Sequence, residues 1–400
     1  MKLFVVIFTH KIYEGANVMI DQKLVKIPGP TPVVDSIRAE MGRAIQAFGD
    51  PRFVADYKEL ITDLHNLLEC DGQTFVIAGT GTLAMEMAIA NSTKKGDNVL
   101  VVSHGFFGDR FIEICERKGL DVESIKSDWG KTVPIQQIEE KLSEKEFAVL
   151  TITHVDTSTG VVADVAAIGE LMKKFPKTLL IVDGVCSTAA QYENMTEMNI
   201  DILFTGTQKA FGVCPGILVL WANKKAMKRR EELGTISEYY VDYYKWIPTM
   251  EDPIKYFATP AVNLVWALKE SVRLIKAEGG IKVRYERHLK NARAVQKALL
   301  ALGFTILAEE GCRAVTLTNA VYPEGIDDAQ FRKLLFNEGI IVAGGLGAYA
   351  GKLFRLGHMG NVDINHEVVA IAAIERALAQ VGKLSKAGTG VGTYLEEMAR

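Results

Sequence analysis

The 400-residue chain carries few of the marks that identify exported, metal-bound or membrane proteins. Its five cysteines (Cys70, Cys115, Cys186, Cys214, Cys312) are far apart, and no pair has CxxC spacing. A zinc ribbon and a dithiol redox motif are therefore excluded, and an odd, sparse count fits a reducing, cytoplasmic setting. The seven histidines are dispersed, without HExxH or an acidic calcium loop, so no metal site is expected. Lys+Arg 46 against Asp+Glu 49 gives a net charge of −3 with no basic stripe, which argues against nucleic acid as a partner. No apolar run approaches the roughly 18 residues that cross a bilayer, so no membrane role is expected. The N-terminal LFVVIF is shorter than a secretory core and no small-residue cleavage site follows it. Residues 1–18 read as poorly integrated with the rest, and Met19 as an alternative start, because the readable pattern begins at DQKLVKIPGPTPV. There is no internal repeat, low-complexity tract or long linker.

What is present is an ordinary globular composition, 48% hydrophobic and 24% charged. The length suits two domains, one of them large. After PGPTPV come two helical stretches, VVDSIRAEMGRAIQAF and FVADYKELITDLHNLLEC. Then β-branched apolar runs alternate with helical patterns: TFVIAG, NVLVVS, FAVLTITH, TLLIVD, ILFTG and GILVLW. Strands alternating with helices predict βαβ units and a mostly parallel sheet. Continuous runs such as LLIVD predict burial on both faces. KKAMKRREE reads as a solvated helix face, and residues from about Val262 to Leu302 read as helical, a length suited to bridging two domains. The remainder mixes strand-like RAVTLTNAVY and IIVAGG with helices DDAQFRKLLFNEG and HEVVAIAAIERALAQVG, a smaller α+β unit.

Three features suggest chemistry. AGTGTLAMEMAIAN follows a strand and opens a helix. Gly79, Gly81 and Ala84 match G-x-G-x-x-A, so a nicotinamide-dependent dehydrogenase is one reading. A helix N-terminus with glycine at the turn also suits a phosphate monoester, and Thr80 and Thr82 add hydroxyl donors. TLLIVDGVCS puts Asp183 at the end of a buried strand, where a carboxylate needs a partner. ILFTGTQKAFG puts Lys209 in a Gly/Thr-rich turn past another strand, unlike a surface lysine. In an open α/β sheet all three converge at the carboxyl edge. A phosphate cradle, a buried acid and a shielded lysine are what pyridoxal 5′-phosphate requires. Plainer readings exist for each alone: a tight turn, a helix cap and a solvated lysine.

The run VDGVCSTAAQYENMTEMNIDILFTGTQKAFGVCPGILVLW resembles the class V, fold-type I pyridoxal-phosphate aminotransferases, and is most similar to their alanine–glyoxylate and serine–pyruvate branch. The resemblance spans nearly all of residues 25–380. It implies an α/β fold: a large domain with a seven-stranded, mostly parallel sheet, and a smaller C-terminal α+β domain. The expected division is an N-terminal extension at 1–27, the large cofactor-binding domain at 28–280 and the small domain at 281–400. It further implies a homodimer with active sites at the subunit interface.

Position by position, the resemblance makes Lys209 the Schiff-base lysine, with Gln208 beside it on the phosphate. Asp183 becomes the partner of the pyridine nitrogen. Thr80, Gly81 and Thr82 become the phosphate loop, Phe107 in HGFFGDR the aromatic against the cofactor ring, and Ser158 in THVDTSTGV the hydroxyl near its phenolic oxygen. Tyr256 and Thr259 in KYFATPAVNL become phosphate contacts given to the neighbouring subunit. Arg355 in GKLFRLGHMG becomes the grip on the substrate carboxylate, and Gly29, within Pro28-Gly29-Pro30, part of a turn over the substrate. Each has a plainer twin: core packing for Phe107, a turn hydroxyl for Ser158, a surface ion pair for Arg355. His154 is a weaker alternative for the catalytic base. The sequence also departs from the branch. Phe107 stands where tryptophan is usual, Thr82 where histidine is usual, and GDPRF where an H-R-S-P-E-F-like stretch is usual.

The expected activity is ping-pong transamination between a small amino acid (alanine or serine) and a small 2-oxo acid (glyoxylate or pyruvate). Small substrates are favoured because Arg355 is the one evident carboxylate grip and no second basic group is evident. A lyase or desulfurase of the same fold would need a mobile nucleophilic cysteine, and Cys312 in EEGCRAV is its candidate in the C-terminal half.

Overall fold

The computed structural model describes residues 23–400; the readings made of residues 1–18 and of Met19 lie outside them. Seven strands form the main sheet: β1 (Gln73–Gly79), β2 (Asn98–Ser103), β3 (Asp121–Lys126), β4 (Val149–Thr153), β5 (Leu179–Asp183), β6 (Ile202–Gly206) and β7 (Gly216–Ala222). Their spatial order is β1-β7-β6-β5-β4-β2-β3. Every neighbouring pair is parallel except those made by β7, which runs antiparallel to both β6 and β1. Two reversals cancel, so β1 ends on the same edge as the other parallel strands. β4, β5 and β6 are buried along their whole length, as helices on both faces require. β3 differs: its DVESIK mixes exposed and half-buried residues and buries none fully, as suits an edge strand.

The flanking helices follow from local signals. In Pro51–Leu67, Asp50 accepts a hydrogen bond from Arg52 N–H and proline opens the first turn. Phe53, Tyr57, Leu60, Ile61 and Leu64 then form one buried stripe. The helical stretch expected from about Val262 to Leu302 is divided into two helices, Val262–Glu278 and Gly280–Ala301. Gly279 and Gly280 have φ of 113° and 84°, which breaks the helical path between them. A further helix, Thr389–Ala399, follows the one expected to be last.

A second sheet, antiparallel, orders its strands Thr305–Ile306, Leu317–Val321, Leu353–Gly357, Ala343–Gly344. It has its own apolar cluster, built with Phe331, Ile371, Leu378 and Tyr394. IIVAGG is divided: Ile340–Ile341 leaves this sheet to pair in parallel with Leu24–Val25. The N-terminal segment is thereby fastened to the C-terminal part of the chain.

Beside that pairing, Lys26 Nζ donates to Glu367 Oε1 at 2.6 Å, with both side chains fully buried. Asn291 contacts the same carboxylate and accepts a hydrogen bond from the Tyr394 hydroxyl. Removing one member of a buried pair leaves an unmatched charge. Lys26→Met is expected to destabilise the protein by about 3–5 kcal/mol, and Lys26→Met with Glu367→Leu by much less. Guanidinium unfolding midpoints of the two variants check this; equal losses would argue against it.

Candidate active site

A cavity of about 410 Å³ opens at the carboxyl edge of the main sheet. The loops after β1, β5 and β6 bring Thr80, Gly81, Thr82, Asp183, Gln208 and Lys209 to its wall, and Gly29 and Phe107 join them. Thr80 caps the Gly81–Ala90 helix, its hydroxyl accepting from Leu83 N–H. Gly81 is required by close approach: a Cβ there would lie 2.6 Å from Val185 Cγ2.

Asp183 ends β5, is 3% exposed, and accepts a hydrogen bond from Val185 N–H at 2.8 Å. Burial drives its pKa up to about 7; the Val185 N–H and the charges of Lys209 and Arg110 pull the other way, while Asp156 adds to the rise. Lys209 follows β6 in a turn closed by Gly212 N–H on its own carbonyl. Its amine donates to the Pro28 carbonyl. Burial pushes the amine below the ordinary lysine range; Arg355 adds to that, and Cys186 and Asp183 oppose it. Gly29 crosses this lysine at φ +91°, and a Cβ would sit 2.7 Å from Lys209 Cε and 2.9 Å from Nζ. Only glycine suits both the conformation and the approach.

Phe107 is held by an acid that the sequence reading passed over. Gly105, the residue before the Phe106–Arg117 helix, offers no side-chain cap. Asp156 serves instead, accepting from Phe107 N–H at 2.9 Å and Gly108 N–H at 3.2 Å. Its other oxygen accepts from Ser158 N–H at 2.9 Å and Ser158 Oγ at 2.6 Å. Burial raises the Asp156 pKa, and these four bonds resist the rise.

Not every expected residue reaches the cavity. Ser158 is fully buried and its hydroxyl is engaged, donating to Asp156 and accepting from Phe106 N–H at 3.0 Å. Thr157, one residue earlier, lines the wall instead. Arg355 lies on the second sheet and donates from Nε to the Gly344 carbonyl at 2.8 Å. It is outside the cavity wall proper, near enough for its charge to act on Lys209. Tyr256 is 62% exposed and bonded to Thr259 at 3.4 Å, away from the cavity of its own chain. His154 turns to Glu193, with Nδ1 2.7 Å from the carboxylate, and does not line the cavity. Cys312 is buried against the carbonyls of Gly130 and Glu309, also outside it. The cysteine that does line the wall is Cys186, whose thiol burial pushes up to about 11.

Arg110 was also missed. It lines the cavity and donates to Thr82 Oγ1 at 2.9 Å. The signal was available: Arg110 falls three residues after Phe107, on the same helix face. Among the described residues no helix could cross a membrane and no cluster of ligand side chains could hold a metal.

Comparison with known proteins agrees with this geometry. The profile of the family "Aminotransferase class-V" matches residues 37–358. An uncharacterized aminotransferase of Methanocaldococcus jannaschii is 35% identical over 90% of this chain and 94% of its own. The serine–glyoxylate aminotransferase of Hyphomicrobium methylovorum is 32% identical over 94% of each chain. The crystal structure of alanine–glyoxylate aminotransferase from Nostoc sp. superposes with a TM-score of 0.86 at 30% identity, covering 94% of this chain and 100% of that one. The buried acid and lysine at adjoining strand ends thus sit within a known enzyme framework, and the chain belongs to the class-V aminotransferases.

Proposed function

We propose that the cavity holds pyridoxal 5′-phosphate. There it would serve a ping-pong transfer of an amino group from alanine or serine to glyoxylate or pyruvate. One observation carries the reading: Asp183 and Lys209 face a single cavity from neighbouring strand ends. The residues fit the group. The Gly79–Gly81 turn leads into a helix N-terminus, whose first N–H groups favour an anion, and a Cβ at Gly79 or Gly81 would collide with Leu83, Leu218 or Val185. Asp183 is a desolvated carboxylate with one N–H partner among the described residues and cations close by.

On this reading Thr80, Gly81, Thr82 and Gln208 hold the phosphate, together with Tyr256 and Thr259 of the partner subunit in a homodimer. The exposure of that tyrosine and threonine on their own chain supports the assignment. Phe107 lies against the ring and Asp183 holds its nitrogen. The ring-hydroxyl contact passes from Ser158 to Thr157. When bound, the cofactor supplies an aldehyde for the amino group and a ring that accepts electron density from the substrate carbon.

The chain's own residues do the rest. Arg355 has both Nη groups without a hydrogen-bond partner among the described residues, so it can take a carboxylate in a two-point grip. Burial holds Lys209 Nζ below the usual lysine range, so it gives up its proton more readily than an exposed lysine and can then accept one, while the Pro28 carbonyl receives its N–H. The glyoxylate activities named for the relatives support the small-acid acceptor. Residues 28–280 would form the cofactor-binding unit and 281–400 the smaller one, in a cytoplasmic enzyme.

The test is a spectral screen of the purified protein against twenty amino acids, with borohydride trapping and peptide mass spectrometry. Alanine or serine should convert the bound cofactor fastest, and the trapped adduct should map to position 209. Preference for glutamate would sink the substrate assignment. An adduct elsewhere, or none, would sink the cofactor assignment.

A further inference from the structure

Arg110 is a cation in the cavity wall without a carboxylate partner among the described residues. Its neighbour Asp109 is engaged elsewhere, with Lys126 and Ser103. The Arg110 guanidinium also lies 5.5 Å from the Phe106 ring centre, and two closer contacts fix it. It donates from Nη1 to Thr82 Oγ1 at 2.9 Å and lies 4.8 Å from the Phe107 ring centre. Thr82 is in the first turn of the Gly81–Ala90 helix, where free N–H groups and the helix dipole favour an anion. A guanidinium held at that turn by a hydroxyl places a full charge beside partial ones. Its remaining N–H groups form a fork suited to a doubly charged oxyanion.

We propose that Arg110 is a phosphate-binding residue, clamping the cofactor's phosphate monoester from the Phe107 side of the cavity. This rests on the cofactor reading above. It also explains how a threonine at position 82 can serve a phosphate loop: its hydroxyl orients an arginine that carries the charge. The competing anion is a second carboxylate on the substrate, and the two sources can be told apart.

The experiment uses the cofactor-stripped full chain, titrated with pyridoxal 5′-phosphate and separately with pyridoxal, which lacks the phosphate. Uptake is read by absorbance and by borohydride trapping at Lys209. Arg110→Met should weaken pyridoxal phosphate by roughly 10- to 100-fold, the size of a lost charge-assisted hydrogen bond. It should leave pyridoxal within about 3-fold, since only the phosphate meets the arginine. Arg110→Lys, which keeps the charge and loses the fork, should fall between. Unchanged pyridoxal uptake also shows that the variant is folded. Equal losses for both probes, or none for either, overturn the proposal. So does a variant that binds the phosphate normally and loses only aspartate or glutamate as substrates. If the unaltered chain takes up neither probe, the cofactor reading falls and takes this inference with it. If it takes up both and Arg110→Met changes nothing, only the role of Arg110 falls.

Discussion

Lys209→Ala is expected to abolish the trappable adduct and to cut turnover by at least about 10²–10⁴-fold, the usual worth of a positioned general base. The loss has two parts. One is the covalent anchor, which only an amine can provide. The other is the proton carried by Nζ, which burial and the Arg355 charge make available by lowering its pKa. The parts separate experimentally. Added methylamine can replace a missing proton carrier in solution and should restore a fraction of turnover, whereas it cannot restore a link to the chain. Activity of the unaltered enzyme should rise with pH as the lowered amine loses its proton. A Lys209→Ala variant with turnover near that of the parent, measured by lactate- or alanine-coupled assay, would contradict the assignment.

Asp183→Asn should act in opposite directions on stability and on activity. Without cofactor, the folded Asp183 has its pKa raised to about 7 from an ordinary 3.8. A raised acid favours the folded state fully below the unfolded value, and that contribution disappears as pH climbs through the folded one. Asparagine carries no such dependence and can still accept from Val185 N–H. The cofactor-stripped variant should therefore gain on its parent by about 2–3 kcal/mol between pH 5 and pH 8. Thermal melts at the two pH values would show it; a gap that narrows with pH would refute it. If Asp183 faces the ring nitrogen of the cofactor as proposed, the same change removes that carboxylate from the loaded enzyme. Turnover should drop by about 10²–10³-fold, comparable to losing one preorganised electrostatic contact. Both outcomes together would show a site that keeps an unfavourable charge for its chemistry rather than for folding.

The framework was largely legible because buried strands announce themselves. Six apolar runs correspond to β1, β2, β4, β5, β6 and β7. β3 was not read from pattern, since an edge strand such as DVESIK carries charges and has no apolar signature. The break at Gly279–Gly280 was overlooked because helical periodicity continues on either side of it. KKAMKRREE reads as a solvated face, yet Arg230 within it is buried, bonded to Asp242 and Asn91. Composition cannot reveal a partner that lies elsewhere in the chain. At the site, residues at strand ends were readable: Asp183, Lys209 and the Thr80–Thr82 turn. Residues whose direction depends on a local turn were not. Thr157 and Ser158 differ only in which one faces the cavity, and Asp156 decides that. Arg110 changes the premise for small substrates, because a second basic group does stand in the cavity. Its engagement with Thr82 turns it toward the Thr80–Thr82 turn.

The cavity wall is encoded between Gly29 and Pro215, a little less than half of the chain. The carbonyl that receives the Lys209 amine nevertheless belongs to Pro28, on a strap secured by Ile340–Ile341 and by Glu367. A fragment truncated after residue 330 would retain every wall residue and lose both fastenings. The setting of the Lys209 amine thus draws on segments from both ends of the described residues, and a fragment holding the main sheet alone is expected to lose it.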